Sequence, residues 1–314
     1  MNAIKKSKGI GRRADLIFYS ILLIWPILQF SVFYVYVNFN SFFLAFKDIE
    51  LVVNPNGTSG YVYSFSLSAF SQLWKELGSQ TIRQAGLVSL LTYALSLVVT
   101  MPLGLIFSFY ISKKRFGSGF FRVMLFLPSI LSSMVTVTLY KNFVDLAIPN
   151  MISDVFNAGK VTSILSRSAA WKFFAIYMYN LLVGFGVSVL MYSNAMSGIA
   201  PEITEAAQLD GATGMKEFIY ISLPSVFSTV SVFIVTGIAG IFTNQFNLFS
   251  FYGTMSTVPF QTFGYYLYTE TYRWQNDMSH YPYLSALGLA MTAVAVPSTF
   301  IVRRLLEKFG PSPD

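Results

Sequence analysis

Six long apolar runs constrain this chain more than any other feature of its sequence. They cover approximately residues 17–46, 84–111, 123–140, 173–194, 225–249 and 283–302. A run of about 20 apolar residues can cross a bilayer as a helix, whereas outer-membrane barrels show short alternating segments. Only 11% of the residues are charged, against about 25% in soluble domains. The sequence therefore predicts an all-α integral membrane protein with six transmembrane helices.

Lysine and arginine set the predicted orientation, because short cytoplasmic loops carry an excess of both. Thirteen of the 21 basic residues lie at the two termini, between the second and third runs, and at Lys216. The other eight are spread over longer loops on the opposite side. Both termini and the segment 197–224 are therefore expected in the cytoplasm. The predicted domains are a basic cytoplasmic leader (1–15), a transmembrane domain (16–302) and a cytoplasmic tail (303–314).

Three segments are expected on the outer side, at 47–83, 141–172 and 250–282. The first carries a turn signal at 54–57, and the second carries an amphipathic stretch around 152–156. The third is rich in Tyr and Phe and could hide a re-entrant or seventh span at about 246–268. Its scattered Gly, Thr, Ser and Pro favour an external loop instead.

Several kinds of chemistry are excluded by residues that the sequence lacks. It has no cysteine and one histidine, which excludes thiol chemistry and a histidine-rich metal site. It has no G-x-x-x-x-G-K-[ST] phosphate loop, so the chain is not expected to hydrolyse ATP. No charged residue lies deep in an apolar run, which argues against an ion-coupled carrier with a buried acid or histidine. No clustered basic face indicates nucleic acid as a partner.

The segment 205–224, EAAQLDGATGMKEFIYISLP, is a strongly polar stretch between two apolar runs on the predicted cytoplasmic side. Pro201 suits the first turn of a helix. The Asp-Gly pair at 210–211 should end that helix, because Gly adopts a positive φ without steric cost. Thr213 is expected to cap a second helix that begins near Gly214. The sequence therefore predicts a short helix-turn-helix here.

This segment resembles the EAA loop of binding-protein-dependent ABC importer permeases. Its EAAQLDGA, followed by F-x-x-I-x-L-P, resembles the carbohydrate branch of that family. FRVMLFLPSILSS (121–133) and NLLVG (180–184) are similar to stretches of maltose-type permeases, and LIFYSILLIWPILQF resembles the start of the first permease of such operons. The resemblance covers most of the chain and implies the type I ABC importer permease fold.

The resemblance also implies partners. It implies that the loop docks on a separate ATPase, so that ATP and magnesium are bound there and this chain binds no cofactor. The implied partners are a second permease subunit, two ATPase subunits, an external sugar-binding protein, a carbohydrate substrate and membrane lipid, in a bacterial plasma membrane. The implied ATPase-coupling residues are Glu205, Ala206, Ala207, Asp210, Gly211, Ala212, Phe218, Ile221, Leu223 and Pro224.

Polar residues within the apolar runs are candidates for the solute pathway, because polar groups are unfavourable in lipid and usually face a cavity. Hydroxyls and carboxamides suit a neutral sugar, since they donate and accept hydrogen bonds. The candidates are Ser129, Ser133, Asn180, Gly184, Asn244, Gln245 and Asn247. The resemblance places the first four at sugar-contacting positions of maltose-type permeases. The alternative is that these groups hydrogen-bond between helices.

The sequence therefore predicts the permease subunit of an ATP-driven carbohydrate importer, with an oligosaccharide as the expected substrate, and does not predict an enzyme. Two alternatives stay open: the same machinery carrying a non-sugar solute, and an ion-coupled secondary carrier. A membrane scaffold that transports nothing is a third and weaker alternative.

Overall fold

The computed structural model describes residues 3–53, 59–156, 162–254, 258 and 260–311, and the side chains of 3–14, 53 and 59 lie outside that description. Helices form nearly all of the regular structure. They are α1 (residues 3–44), α2 (Ser68–Glu76), α3 (Gln80–Ser112), α4 (Ser118–Ile130), α5 (Ser133–Phe156), α6 (Ala169–Ser197), α7 (Pro201–Leu209), α8 (Met215–Ser225), α9 (Phe227–Gly240), α10 (Leu248–Tyr252), α11 (Phe263–Arg273) and α12 (Tyr281–Phe309). Two 3₁₀ turns lie at Ile164–Ser166 and Met278–His280.

Four helical stretches of the described chain are each long and apolar enough to cross a membrane. They are Asp15–Leu44, Gln80–Ser112, Ala169–Ser197 and Met278–Phe309. Two further pairs, α4 with α5 and α8 with α9, meet the same criteria only when each pair is taken together. The described chain therefore has four spans, or up to six if each pair is one span. The orientation with both termini in the cytoplasm stays a prediction.

The runs at 123–140 and 225–249 do not form the continuous helices that the sequence predicted. α4 and α5 meet at an angle of 107°, and α8 and α9 at 67°. Pro128 and Pro224 lie in the last turn before each break. Each helix continues past its proline, and the backbone leaves α-helical geometry at Leu131 (φ −78°, ψ 151°) and at Val226 (φ −101°, ψ 10°).

The all-α prediction is wrong in one segment, which forms a β-hairpin. Strands β1 (Lys47–Val53) and β2 (Ser59–Phe65) pair antiparallel, with Lys47 opposite Phe65 and Val53 opposite Ser59. Both strands are rich in β-branched and aromatic residues, which fit a pleated surface. The predicted turn at 54–57 lies outside the described residues.

The chain divides into two units, and the first comprises residues 1–75 and 274–289. Within it, the Met278 N–H donates to Tyr61 Oη of the hairpin at 3.4 Å. The Trp274 and His280 rings stack with their centroids 3.6 Å apart. The Ser279 N–H donates to the Asp277 carboxylate and lowers the pKa of that carboxyl. These contacts stabilise the turn that directly precedes α12.

The second unit comprises residues 76–273 and 290–314, and α6 lies at its centre. α3 packs on α6 through the buried Ser108, whose Oγ donates to the Val189 carbonyl at 3.0 Å. α4 approaches α6 at Gly186, where an added Cβ would lie 2.5 Å from the Leu125 carbonyl carbon. A glycine is therefore required for this close approach.

The segment predicted as an external loop at 250–282 contains α11, which packs on α3 within the second unit. The Phe263 N–H donates to the buried Ser89 Oγ at 2.8 Å. Phe263 and Tyr265 are 1% exposed, so this part of the segment belongs to the core. Residues 255–257 and 259 of the same segment lie outside the described residues.

Four of these helices contain a π-helical turn. The turns are Ser31–Tyr36 in α1, Ser96–Thr100 in α3, Phe143–Ala147 in α5 and Phe218–Ser222 in α8. Such turns are rare and often lie at functional sites. The turn in α8 falls within the segment that the sequence predicted to dock on an ATPase.

Candidate functional site

The segment 197–224, called the coupling segment below, forms two helices joined by a tight turn, as predicted. At the end of α7 the Ala212 N–H donates to the Ala207 carbonyl at 2.8 Å, and the Gly211 N–H donates to the Gln208 carbonyl at 3.0 Å. Gly211 has φ +77°. This pair of bonds around a left-handed glycine is a Schellman motif, so the positive φ predicted for Gly211 is confirmed.

The prediction that Thr213 caps the second helix is wrong. α8 begins at Met215, and Gly214 occupies the cap position with φ 60° and ψ −118°. This conformation carries a steric cost for any residue with a Cβ, and glycine avoids it. Gly214 therefore sets the direction in which α8 leaves the turn.

The coupling segment exposes large apolar side chains. They are Ile203, Leu209, Met215, Ile219 and Tyr220. Leu209 is 90% exposed and stands directly before the turn. Exposed apolar side chains that lie together in a short segment mark a surface for interaction. Ile203 and Leu209 of α7 are available to a partner, whereas the other three belong to α8, which is part of a candidate span.

The ten predicted coupling residues divide by burial. Exposed are Glu205, Ala206, Asp210, Gly211 and Pro224, half-buried are Ala212, Ile221 and Leu223, and buried are Ala207 and Phe218. The Phe218 ring packs on Phe109 of α3, with 5.2 Å between the ring centroids. The exposed residues can contact a partner directly, whereas Phe218 anchors the segment to α3.

Glu217, a buried acid at the start of α8, was not predicted from the sequence. Its carboxylate forms an ion pair with Lys113, which follows the last turn of α3. In the sequence, Lys113 is one of four basic residues between the second and third apolar runs. The signal that was available is the position of Glu217 directly before the apolar stretch that begins at Phe218.

Three asparagines, Asn180, Asn244 and Asn247, form what we call the asparagine cluster. The Asn180 Nδ2 donates to the Phe246 carbonyl at 3.1 Å and to the Ile176 carbonyl at 2.9 Å. The Asn180 Oδ1 accepts from Asn247 Nδ2 at 2.7 Å. The Asn244 Oδ1 accepts from the Phe246 N–H at 2.8 Å. The structure thus brings together three of the predicted pathway residues.

The cluster lies where the chain leaves regular helix between α9 and α10. Phe246 and Asn247 have φ 53° and 55°. Consecutive left-handed residues other than glycine are uncommon, and such conformations concentrate at functional sites. Because interrupted membrane helices often form solute sites in transporters, the break between α9 and α10 is a candidate solute site.

A second break lies beside the first. Ser133 starts α5 after the 107° bend, and its Oγ accepts from Ser250 Oγ of α10 at 3.4 Å. The Ser133 carbonyl also accepts from Tyr179 Oη at 3.4 Å. Tyr179 directly precedes Asn180, so Ser133 lies near the asparagine cluster.

The remaining predicted pathway residues lie apart from these hydrogen bonds. Ser129 Oγ donates to the Phe126 carbonyl of its own helix at 2.7 Å. Gln245 is half-buried and takes part in none of the bonds described above. Gly184 is exposed one turn after Asn180, and an added Cβ would meet no atom within 4 Å. Open space therefore lies beside α6 at Gly184.

No protein-family model matches the chain. The polygalacturonan/rhamnogalacturonan transport system permease protein YteP of Bacillus subtilis is 23% identical over 300 residues, which is 93% of this chain and 88% of that protein. The multiple sugar-binding transport system permease protein MsmF of Streptococcus mutans is 22% identical over 289 residues, covering 91% of this chain and 94% of that protein. The chain is thus homologous to sugar-transport permeases along nearly its whole length.

A solved structure shows the same fold. It is the crystal structure of a bacterial ABC transporter involved in the import of the acidic polysaccharide alginate, and it matches with a TM-score of 0.71 at 21% identity. The match covers 97% of this chain and 99% of that chain. The chain has the fold of an ABC importer permease. The resemblance that the sequence motifs indicated is therefore confirmed.

A second solved structure with this permease fold is that of the alginate transporter in complex with an alginate pentasaccharide-bound periplasmic protein. Its TM-score is 0.70 at 20% identity, with 96% of each chain covered. Permeases of this fold are multi-pass integral membrane proteins. The long apolar helices of the present chain agree with that placement.

Proposed function

We propose that the chain is the membrane-spanning permease subunit of an ATP-driven carbohydrate importer in a bacterial plasma membrane. The observation that carries this proposal is the similarity to sugar-transport permeases over 93% of the chain. The coupling segment supports it, because it exposes an apolar surface on a short helix-turn-helix. Its exposed position suits a separate ATPase that supplies the energy.

The chain would act within a larger assembly. A second, similar permease would complete the pathway, and two ATPase subunits would bind the coupling segments. An external sugar-binding protein would deliver solute to the segments 47–83, 141–172 and 250–282. Binding of ATP would close the ATPases, and the coupling segment would convert that closure into an outward-facing pathway. ATP and magnesium would be bound by the ATPases.

The proposed substrate is an oligosaccharide. Relatives of this chain are named for polygalacturonan and rhamnogalacturonan, for multiple sugars, and for arabinooligosaccharides. The candidate site offers carboxamides and hydroxyls at two adjacent helix breaks, and these groups can exchange hydrogen bonds with sugar hydroxyls. Asn180, Asn247 and Ser133 are the residues that we propose lie closest to the solute pathway.

Reconstitution tests the proposal directly. The chain would be assembled with its second permease and ATPase in liposomes, with the binding protein outside and ATP inside. We expect uptake of a labelled oligosaccharide that depends on ATP. A panel of neutral and uronic-acid oligosaccharides would identify the substrate. Sugar uptake by the chain alone, driven by an ion gradient, would instead support an ion-coupled secondary carrier. ATP-driven uptake of a non-sugar solute would support the alternative in which the same machinery carries a different class of solute.

Replacing Asn180 with leucine is expected to lower uptake about tenfold. Leucine leaves the Phe246 carbonyl and the Asn247 amide without their partners, and a buried polar group left unpaired costs about 1–3 kcal/mol. The turn that carries Asn244 and Asn247 should then lose its position. Initial uptake rates in the reconstituted complex measure this effect.

Asn38→Leu is the matched control for that variant. Asn38 donates to the carbonyl of Tyr34 four residues earlier, at 2.6 Å, as Asn180 does to Ile176, but it lies exposed on α1. We expect this variant to transport normally. If Asn180→Leu instead releases the ATPase from the complex, Asn180 is a packing residue and its place in the solute pathway is wrong.

A further inference from the structure

Glu217 is unusual in the coupling segment because its charge is buried. The residue is 4% exposed, whereas its neighbours Lys216 and Met215 are exposed. A carboxylate removed from water is strongly disfavoured unless it is paired. Its pairing therefore determines how the start of α8 is held.

The partner of Glu217 is Lys113. The Lys113 Nζ contacts Glu217 Oε1 in an ion pair. Lys113 follows the last residue of α3, where the negative end of the helix dipole favours a cation. The same Nζ lies 5.6 Å from the Phe109 ring centroid, and that ring packs on Phe218. One residue pair and one ring pair thus join the end of α3 to the start of α8.

The rest of the coupling segment is held more loosely. In α7, Ala207 is the buried residue, and the chain then passes through Gly211 and Gly214, both at positive φ. Residues 198–200 join α7 directly to α6, whereas α7 reaches α3 through the turn and the start of α8. Glu217 is the first buried residue of α8.

From Lys113, a continuous set of contacts leads toward the candidate solute site. Ser108 of α3 is hydrogen-bonded to the Val189 carbonyl of α6. α6 also carries Asn180, which holds the turn between α9 and α10. Spatial connection does not by itself demonstrate coupling, so the ion pair requires a direct test.

We propose that the Lys113–Glu217 ion pair positions the coupling segment on α3, so that movement of α7 and α8 is passed to α3 rather than lost in the turn. This inference rests on the proposed function and adds a positioning role for two residues that are not among the ten predicted coupling residues. A hydrogen-bonded ion pair restricts the orientation of the two groups that it joins, whereas an apolar contact of equal area does not. The pair therefore fixes the orientation of the start of α8 relative to the end of α3, in addition to burying the Glu217 side chain.

The test is the ratio of ATP hydrolysed to sugar imported by the reconstituted complex. The double variant Lys113→Met/Glu217→Leu replaces the ion pair, whose side chains are 27% and 5% exposed, with apolar side chains of similar volume. Such a change often leaves stability unaltered. We expect a complex that melts like the parent but hydrolyses about tenfold more ATP per sugar imported, within the range typical of coupling between sites. The charge exchange Lys113→Glu/Glu217→Lys should restore much of the parental ratio.

Glu307→Gln is the matched control, because it breaks an exposed ion pair with Arg303 whose two side chains are each about 60% exposed. It should leave the ratio unchanged. A parental ratio in the double apolar variant would overturn the proposal and make the pair a packing element only. Failure of the parent complex to import sugar with ATP would overturn the proposed function instead, before any variant is compared.

Discussion

Replacing Glu205 with lysine is expected to abolish ATP-dependent uptake while the chain still inserts into the membrane. Glu205 is exposed on α7, within the surface that we propose docks on the ATPase. Reversing a charge at an interface costs about 2 kcal/mol or more when its partner is left unpaired. That free energy corresponds to a loss of about 30-fold in the affinity between permease and ATPase. Co-purification of the ATPase with the tagged chain, together with uptake, measures the effect.

Glu307→Lys is a suitable control for Glu205→Lys, because it makes the same change in charge on the exposed end of α12. It breaks an exposed ion pair with Arg303 and places a like charge there, and effects of this kind at exposed positions are small. We expect it to retain both the ATPase and uptake. Normal uptake by Glu205→Lys would show that α7 is not the docking surface.

Gly186→Leu is expected to cause a large loss of stability, because the backbone of α4 lies against this residue. An added Cβ would lie 2.5 Å from the Leu125 carbonyl carbon and 3.0 Å from Phe126 Cα. These are backbone atoms of α4, so no side-chain rotation can relieve the overlap. Overpacking of this kind costs about 3 kcal/mol, and α4 should separate from α6. Thermal melting in detergent, followed by tryptophan fluorescence, measures the change.

Gly184→Leu is its matched control, two residues earlier on the same helix. An added Cβ at Gly184 meets no atom within 4 Å, and the residue is exposed. The melting temperature of this variant should therefore equal that of the parent, whatever happens to uptake. Equal melting temperatures for both variants would show that α4 and α6 do not pack as closely as the structure places them.

The membrane helices could be predicted from the sequence because the hydrophobicity of a span is the sum over its own residues and depends on no distant contact. The breaks after Pro128 and Pro224 were harder to predict, since proline in a membrane helix is often accommodated without a large bend. The hairpin at 47–65 was missed for a different reason. The turn signal at 54–57 was recognised, but the β-branched and aromatic residues on either side of it were not recognised as strands, although the two strands pair locally with each other.

The candidate site shows a division between local and distant interactions. The turn at Gly211 was predictable, because a Schellman motif depends on a few consecutive residues. The packing of the Phe218 ring on Phe109 of α3 is a distant contact that the motif around Phe218 does not reveal, and the part of Phe218 in ATPase coupling stays a prediction. The Lys113–Glu217 pair joins residues 104 positions apart. Neither residue has a local motif that predicts the other.

The asparagine cluster was predictable in part: its residues could be named from the sequence, and their hydrogen bonds could not. Asn180, Asn244 and Asn247 were recognised as unusual polar residues in apolar runs, and the structure brings all three together. Their hydrogen bonds to the backbone of a left-handed turn could not be inferred, because that turn exists only once α6 packs beside it. Their contact with a solute stays a prediction.

α1, α3, α5 and α8 each contain a π turn. A π turn contains one residue more than an α-helical turn would need to cover the same length of helix. In a regular helix, removing one residue rotates everything beyond it by about 100°. At a π turn, the surplus residue can be lost while the helical faces on both sides keep their directions. Proteins with this architecture can therefore differ by single residues inside a membrane helix and still share the same packing, so gaps in an alignment of such chains belong at these turns.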